Sequence, residues 1–150
     1  MSAATENVEH PERTKRSNYQ YFFYAKHHGG DNAAGTWLSS VTRTVEFSIF
    51  DQADLLDISD GRGWLYGVLP DENGDLAEIG THDEQVGEFQ PGISVDEPWH
   101  GYPQWVVDKI GAGNRRRNQC CPDRAVFDKM VAAMLITRIQ RKRLLTGRNA

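Results

Sequence analysis

Of the five histidines, His27, His28, His82 and His100 lie beyond the polar first 18 residues. They are the side chains that change charge near neutral pH. With Asp31, Asp83 and Glu84 they supply the parts of an acid/base pair or of a metal site. Spacing argues against the metal. The chain has no Cys-x-x-Cys, His-x-x-x-His or His-Glu-x-x-His, and its two cysteines, Cys120 and Cys121, are adjacent and ill-placed to share one tetrahedral zinc. No metal and no cofactor is expected.

The densest chemistry is in Pro98-Trp99-His100-Gly101-Tyr102-Pro103. Two prolines restrict the backbone, Gly101 permits a bend, and three rings are brought together. Trp99, His100 and Tyr102 are therefore a candidate pocket, with His100 as acid or base and two rings for stacking. The same residues equally suit a core plug, with His100 in a structural hydrogen bond. Other patterns are excluded. Asp71, Asn73 and Asp75 imitate a calcium loop, but Leu76 stands where the turn glycine belongs and His82 where the bidentate Glu belongs. The glycines at 29–35 precede no Gly-Lys-Ser/Thr, and neither Ser39 nor Ser48 sits in a Gly-x-Ser-x-Gly elbow.

A second group is basic. Arg115, Arg116 and Arg117, then Arg138, Arg141, Lys142 and Arg143, form a candidate surface for a protein partner or for nucleic acid, whose phosphates would make binding salt-dependent. The overall net charge of -4 conceals a division. Residues 19–110 carry 16 Asp and Glu against 4 Lys and Arg, whereas residues 111–150 carry 10 Lys and Arg against 2 Asp and Glu. Local nets of -12 and +8 imply opposite fields on different parts of the molecule.

These residues must be held by a core, and the 10% aromatic content with 4 Trp supplies one. A chain of 150 residues suits one domain. No apolar run approaches the roughly 20 residues of a membrane span. Nothing near the N-terminus reads as a signal peptide, so a cytoplasmic protein without a membrane partner is expected. Residues 1–18 are aperiodic and predict a disordered leader. Over 19–26, aromatic residues of both parities predict a central strand covered on each side. Residues 27–35 read as a loop. Val41, Val45, Phe47 and Ile49 share one parity and Thr42, Thr44, Glu46 and Ser48 the other, which predicts a strand with one wet face. Residues 51–58 suit one or two helical turns. Residues 63–80 predict a hairpin about Asn73-Gly74. Thr81 with Glu84 forms a capping box for a short helix ended by Pro91-Gly92.

Residues 93–118 read as a long connection, with a short strand over 105–110 and an exposed linker from 111. Pro122 and Asp123 then open a helix on which Val126, Phe127, Met130, Val131, Met134 and Leu135 recur at helical spacing. Thr137 with Gln140 starts a second helix, stopped at Gly147. The expected fold is α+β: a small, mostly antiparallel sheet with a C-terminal helical hairpin. Its parts are a leader (1–18), an acidic β-rich body (19–110) and a basic helical tail (111–150) packed on the same domain. The expected function is a non-enzymatic interaction module that binds a protein partner or its own copy through charge-asymmetric surfaces. The alternatives are nucleic-acid binding through the basic helices and a small His-dependent hydrolase or nuclease.

Overall fold

The computed structural model describes residues 13–16, 18–23, 35–92, 98–106 and 122–150. The elements run β1 (Arg13–Arg16), β2 (Tyr19–Phe22), α1 (Arg43–Leu55), β3 (Leu65–Gly67), β4 (Val86–Gln90), β5 (His100–Gln104), α2 (Arg124–Ala132) and α3 (Arg138–Leu145). The fold is α+β, with a three-stranded antiparallel sheet in the order β3-β4-β5. A separate two-stranded pair, β1-β2, is bridged to the start of β5 through Tyr21 and Trp99.

Helix α1 occupies the stretch whose alternation predicts a strand, and this corrects the reading of residues 36–50. The Thr42 hydroxyl caps it by accepting from the Val45 N–H at 3.3 Å. Glu46, Phe47, Phe50, Ala53 and Asp54 then fall on one buried helical face. The chain leaves α1 with Asp57 at φ 52°, and the Ile58 N–H returns to the Ala53 carbonyl at 3.0 Å. That left-handed exit satisfies carbonyls the helix would otherwise strand.

Three more expectations change. Residues 13–16 form β1, inside the stretch read as leader. Its partner β2 lies in the two-stranded pair, outside the three-stranded sheet, and meets that sheet through the bridge from Tyr21 to Trp99. Thr81 and Glu84 start no helix; the Glu84 carboxylate instead accepts the backbone N–H groups of Gly35 and His82, and the chain runs on into β4. β5 lies inside the stretch read as a long connection, and of the strand expected over 105–110 only Trp105 and Val106 are described, neither of them in a strand. Pro103 is tolerated because β5 is an edge strand. Residues 107–110, like 27–34 and 111–121, lie outside the described residues. The turn at Asn73-Gly74 is present, with Gly74 at φ 85°, but only Pro70 and Leu76 bridge across it; the full partner of β3 is β4.

Strand alternation distributes two cores over the two faces of the sheet. On one face Leu65 and Phe89 join Tyr21, Trp37, Phe47, Ile49, Phe50 and Trp99, covered by α1. A Cβ at Gly67 would stand 2.7 Å from Ile49 Cγ2 and 2.8 Å from its carbonyl oxygen, so only glycine lets α1 approach β3 this closely. On the other face Tyr66, Val68 and Val86 meet Val126, Phe127, Met130, Ile136 and Leu144 of the helical hairpin. The two C-terminal helices form as their sequence predicts. Asp123 caps α2, and Thr137 with Gln140 makes a complete capping box on α3. Met134 departs from the expected core set: α2 ends at Ala132, and Met134 sits in the turn, 89% exposed.

Among the described residues no helix is long and apolar enough to cross a membrane. Phe127 is fully buried between the hairpin and the sheet. Phe127→Ala should lower the unfolding free energy in urea by about 3–5 kcal/mol. An unchanged midpoint would show that α2 does not dock as described.

Candidate functional site

The aromatic segment 98–103 is not an exposed loop. From His100 it is strand β5, so alternation sends neighbouring rings to opposite faces. Trp99, 8% exposed, lies in the α1-side core with its ring 4.7 Å from that of Tyr19 and 6.0 Å from that of Phe50. Trp99 is therefore a core plug. Tyr102 is buried on the opposite face. His100, half-buried, opens the strand opposite Gln90. The other described histidine, His82, packs against Trp105, five residues further along. The spacing is roughly 16 Å along an extended chain, so the two are not brought together. His27 and His28 lie outside the described residues, as do Cys120 and Cys121.

The sheet instead assembles a polar cluster around Glu88. Register places Tyr66, Glu88 and Tyr102 side by side across β3, β4 and β5. Glu88 is 2% exposed. Its Oε2 accepts from the Tyr66 hydroxyl at 2.8 Å and its Oε1 from the Tyr102 hydroxyl at 2.6 Å. Gln90 Nε2 donates to the Tyr102 hydroxyl at 2.6 Å. The Arg62 guanidinium stands 3.8 Å from Glu88, lies over the Trp64 ring at 3.6 Å, and donates to Asp60 and to the Tyr66 hydroxyl. Burial opposes ionisation of Asp60, but hydrogen bonds from the Arg62 side chain and from the backbone N–H groups of Arg62 and Trp64, with the Tyr66 hydroxyl shared between Asp60 and Glu88, outweigh it and bring this carboxyl below its ordinary value. Both oxygens of Glu88 are thus already met by donors. A substrate would have to displace a tyrosine to reach them. The arrangement can fix strand register and hold the sheet's second face together.

Two further buried acids do comparable work. Glu46 of α1 accepts from the Tyr21 hydroxyl, and Asp54 accepts from the Asn18 side chain and from the backbone N–H groups of Asn18 and Tyr19, tying the β1-β2 turn to the helix. Glu46, Asp54, Glu84 and Glu88 are all buried, so the count of 16 acids overstates the negative charge that the body presents to solvent. Among the described residues no group of three or more His, Cys, Asp or Glu could hold a metal ion.

The basic residues lie on the outer face of the hairpin. Arg138, Lys142 and Arg143 are exposed on α3, while Gln140 and Leu144 of the same helix face inward. Arg141 is paired with Asp128 of α2 at 2.7 Å. Among the described residues, Arg138, Lys142 and Arg143 have no carboxylate within ion-pair distance. Ile139 stands among them, 67% exposed. Arg115, Arg116 and Arg117 lie outside the described residues. Between α2 and α3 an open groove of about 500 Å³ is lined by Asp128, Val131, Ala132, Arg138 and Arg141. No protein-family model matches the chain, and neither does any curated protein or solved structure.

Sequence reasoning missed Glu88, Tyr66, Asp60 and Arg62. The one available signal was Glu88 itself, an acid sharing parity with Val86 in an otherwise inward-facing strand. Burial pushes the Tyr21 and Tyr66 hydroxyls above their ordinary pKa of 10.0, and the adjacent Glu46 and Glu88 carboxylates push them further. A raised folded-state pKa keeps the folded chain protonated where the unfolded chain ionises. Its stability contribution is therefore complete below about pH 10 and lost as pH rises beyond it. Titration followed at 295 nm should show Tyr21 and Tyr66 ionising only together with unfolding. Ordinary ionisation of all five tyrosines in a still-folded chain would contradict the cluster.

Proposed function

We propose that the protein is a non-enzymatic interaction module that engages a protein partner, or its own copy, through the outer face of the α2-α3 hairpin. The observation that carries this reading is the composition of that face. Arg138, Lys142 and Arg143 surround an exposed Ile139, and Met134 stands clear of the surface at the adjoining turn. Long-range attraction from the cations speeds encounter, and buried apolar contact supplies affinity once solvent is excluded. The inner face of the hairpin is spent on the core, which leaves the outer face for recognition. The adjacent cysteines suit reduced thiols and hence a cytoplasmic setting.

Nucleic-acid binding is the second reading, favoured by the cluster of exposed cations on one short helix. Phosphate contacts would use the arginines but would gain little from Ile139 and Met134. The tail cannot be tested by deletion, because Val126, Phe127, Met130 and Leu144 belong to the core. A photo-crosslinking residue at position 139 of the full chain, activated in cells, makes the test. A discrete protein adduct is expected, absent in the variant Arg138→Gln/Lys142→Gln/Arg143→Gln and absent when the probe replaces the equally exposed Leu55. A nuclease-sensitive adduct would favour nucleic acid. Equal labelling from position 55 would remove the hairpin from the account.

A further inference from the structure

The groove between α2 and α3 has features that packing alone does not require. Asp128, Val131 and Ala132 line one side at helical spacing, and Arg138 and Arg141 line the other. The apolar floor and cationic wall are open to solvent. Arg141 is the odd member. Its Nε lies 2.7 Å from Asp128 Oδ1, yet the N–H is not aligned on that oxygen, so this buried donor has no hydrogen-bond partner. A misaligned pair whose acid is 64% exposed contributes little to the fold. It leaves a donor that a better-placed carboxylate would satisfy.

Met134, in the turn that joins α2 to α3, adds an independent observation. Each helix among the described residues leaves through a left-handed residue, at Asp57, Met134 and Gly147. Glycine is the residue that adopts this conformation without strain, and a side chain there costs about 1 kcal/mol. At Met134 the N–H of Leu135 returns to the Met130 carbonyl at 2.9 Å, so the turn itself is well made. The methionine side chain repays none of the strain within the chain, since it is 89% exposed. Flexible methionine at a surface is well suited to adapt to an apolar partner.

We propose that this groove receives an amphipathic helix of a partner protein, whose carboxylates replace Asp128 on Arg141 and pair with Arg138 while its apolar side chains lie on Val131, Ala132 and Met134. Asp128 then acts as an internal competitor that sets the affinity. The proposal rests on the interaction reading above and narrows it to one groove and one class of partner. A helix fits better than a small carboxylate because Val131 and Ala132 give the groove an apolar side, and an exposed Met134 stands in the adjoining turn. Nucleic acid fits worse, since Asp128 would repel phosphate and Met134 would go unused.

Fluorescence anisotropy with the full chain tests it. The probe is a labelled 18-residue peptide with Leu at i, i+3, i+4 and i+7 and Glu on its flanks; the controls are the same composition scrambled and a random DNA duplex. The amphipathic peptide should bind more tightly than either control. Arg138→Ala/Arg141→Ala should weaken it about ten-fold or more, and Asp128→Asn should tighten it about two- to five-fold by removing the competitor. Met134→Gly should weaken peptide binding while raising the melting temperature, a combination that a purely structural residue would not produce. Peptide binding that survives Arg138→Ala/Arg141→Ala but is lost in Lys142→Ala/Arg143→Ala would overturn the groove and leave the wider hairpin reading standing. Preferential binding of the duplex, or no binding of any probe, would overturn both.

Discussion

Burial of the sheet on both faces is the constraint from which the rest of the structure follows. Strands of three to five residues in a three-stranded sheet bury too little on one side to persist in water. Helix α1 covers the face that carries Leu65 and Phe89, and the α2-α3 hairpin covers the face that carries Val68 and Val86. The α2-α3 hairpin is thus part of the core and not an appendage. Its polar outer side is free of that duty.

Charge is arranged around the same constraint. An acid enclosed beneath a helix must find donors, since an uncompensated buried carboxylate is costly. Glu46 and Glu88 use tyrosine hydroxyls, and Asp54 and Glu84 use backbone N–H groups. Among the described residues, none of these contacts comes from α2 or α3. The cations of α3 therefore remain outside, and Arg138, Lys142 and Arg143 are left without internal carboxylate partners among the described residues. With these four acids buried, the body presents less negative charge to solvent than residue counts imply.

The parts of this arrangement legible in the sequence were those set by local signals. Thr137 with Gln140, Gly147, and the spacing of Val126, Phe127 and Met130 define the hairpin within a few residues of chain. Helix α1 was hidden because its first half is β-branched and alternates by chance. The deciding features are a cap at Thr42 and apolar positions that continue to Ala53, past the alternation. Strand β4 was hidden because Glu84 mimics the end of a capping box while its carboxylate accepts from the neighbouring His82 N–H and the distant Gly35 N–H. The Glu88 cluster joins residues from 60 to 102 and depends on strand register, which no local window contains. The basic surface was legible as composition; its separation from the core, and the groove beside it, required the fold.

The claim at the centre is that folding and recognition use opposite sides of the hairpin. Urea unfolding of the Arg138→Gln/Lys142→Gln/Arg143→Gln variant addresses it most directly. If the outer face has no structural duty, the unfolding free energy stays within about 1 kcal/mol of the parent chain, as for surface changes generally. A loss above about 2 kcal/mol would mean that these cations hold the fold together, and the division of labour would be wrong.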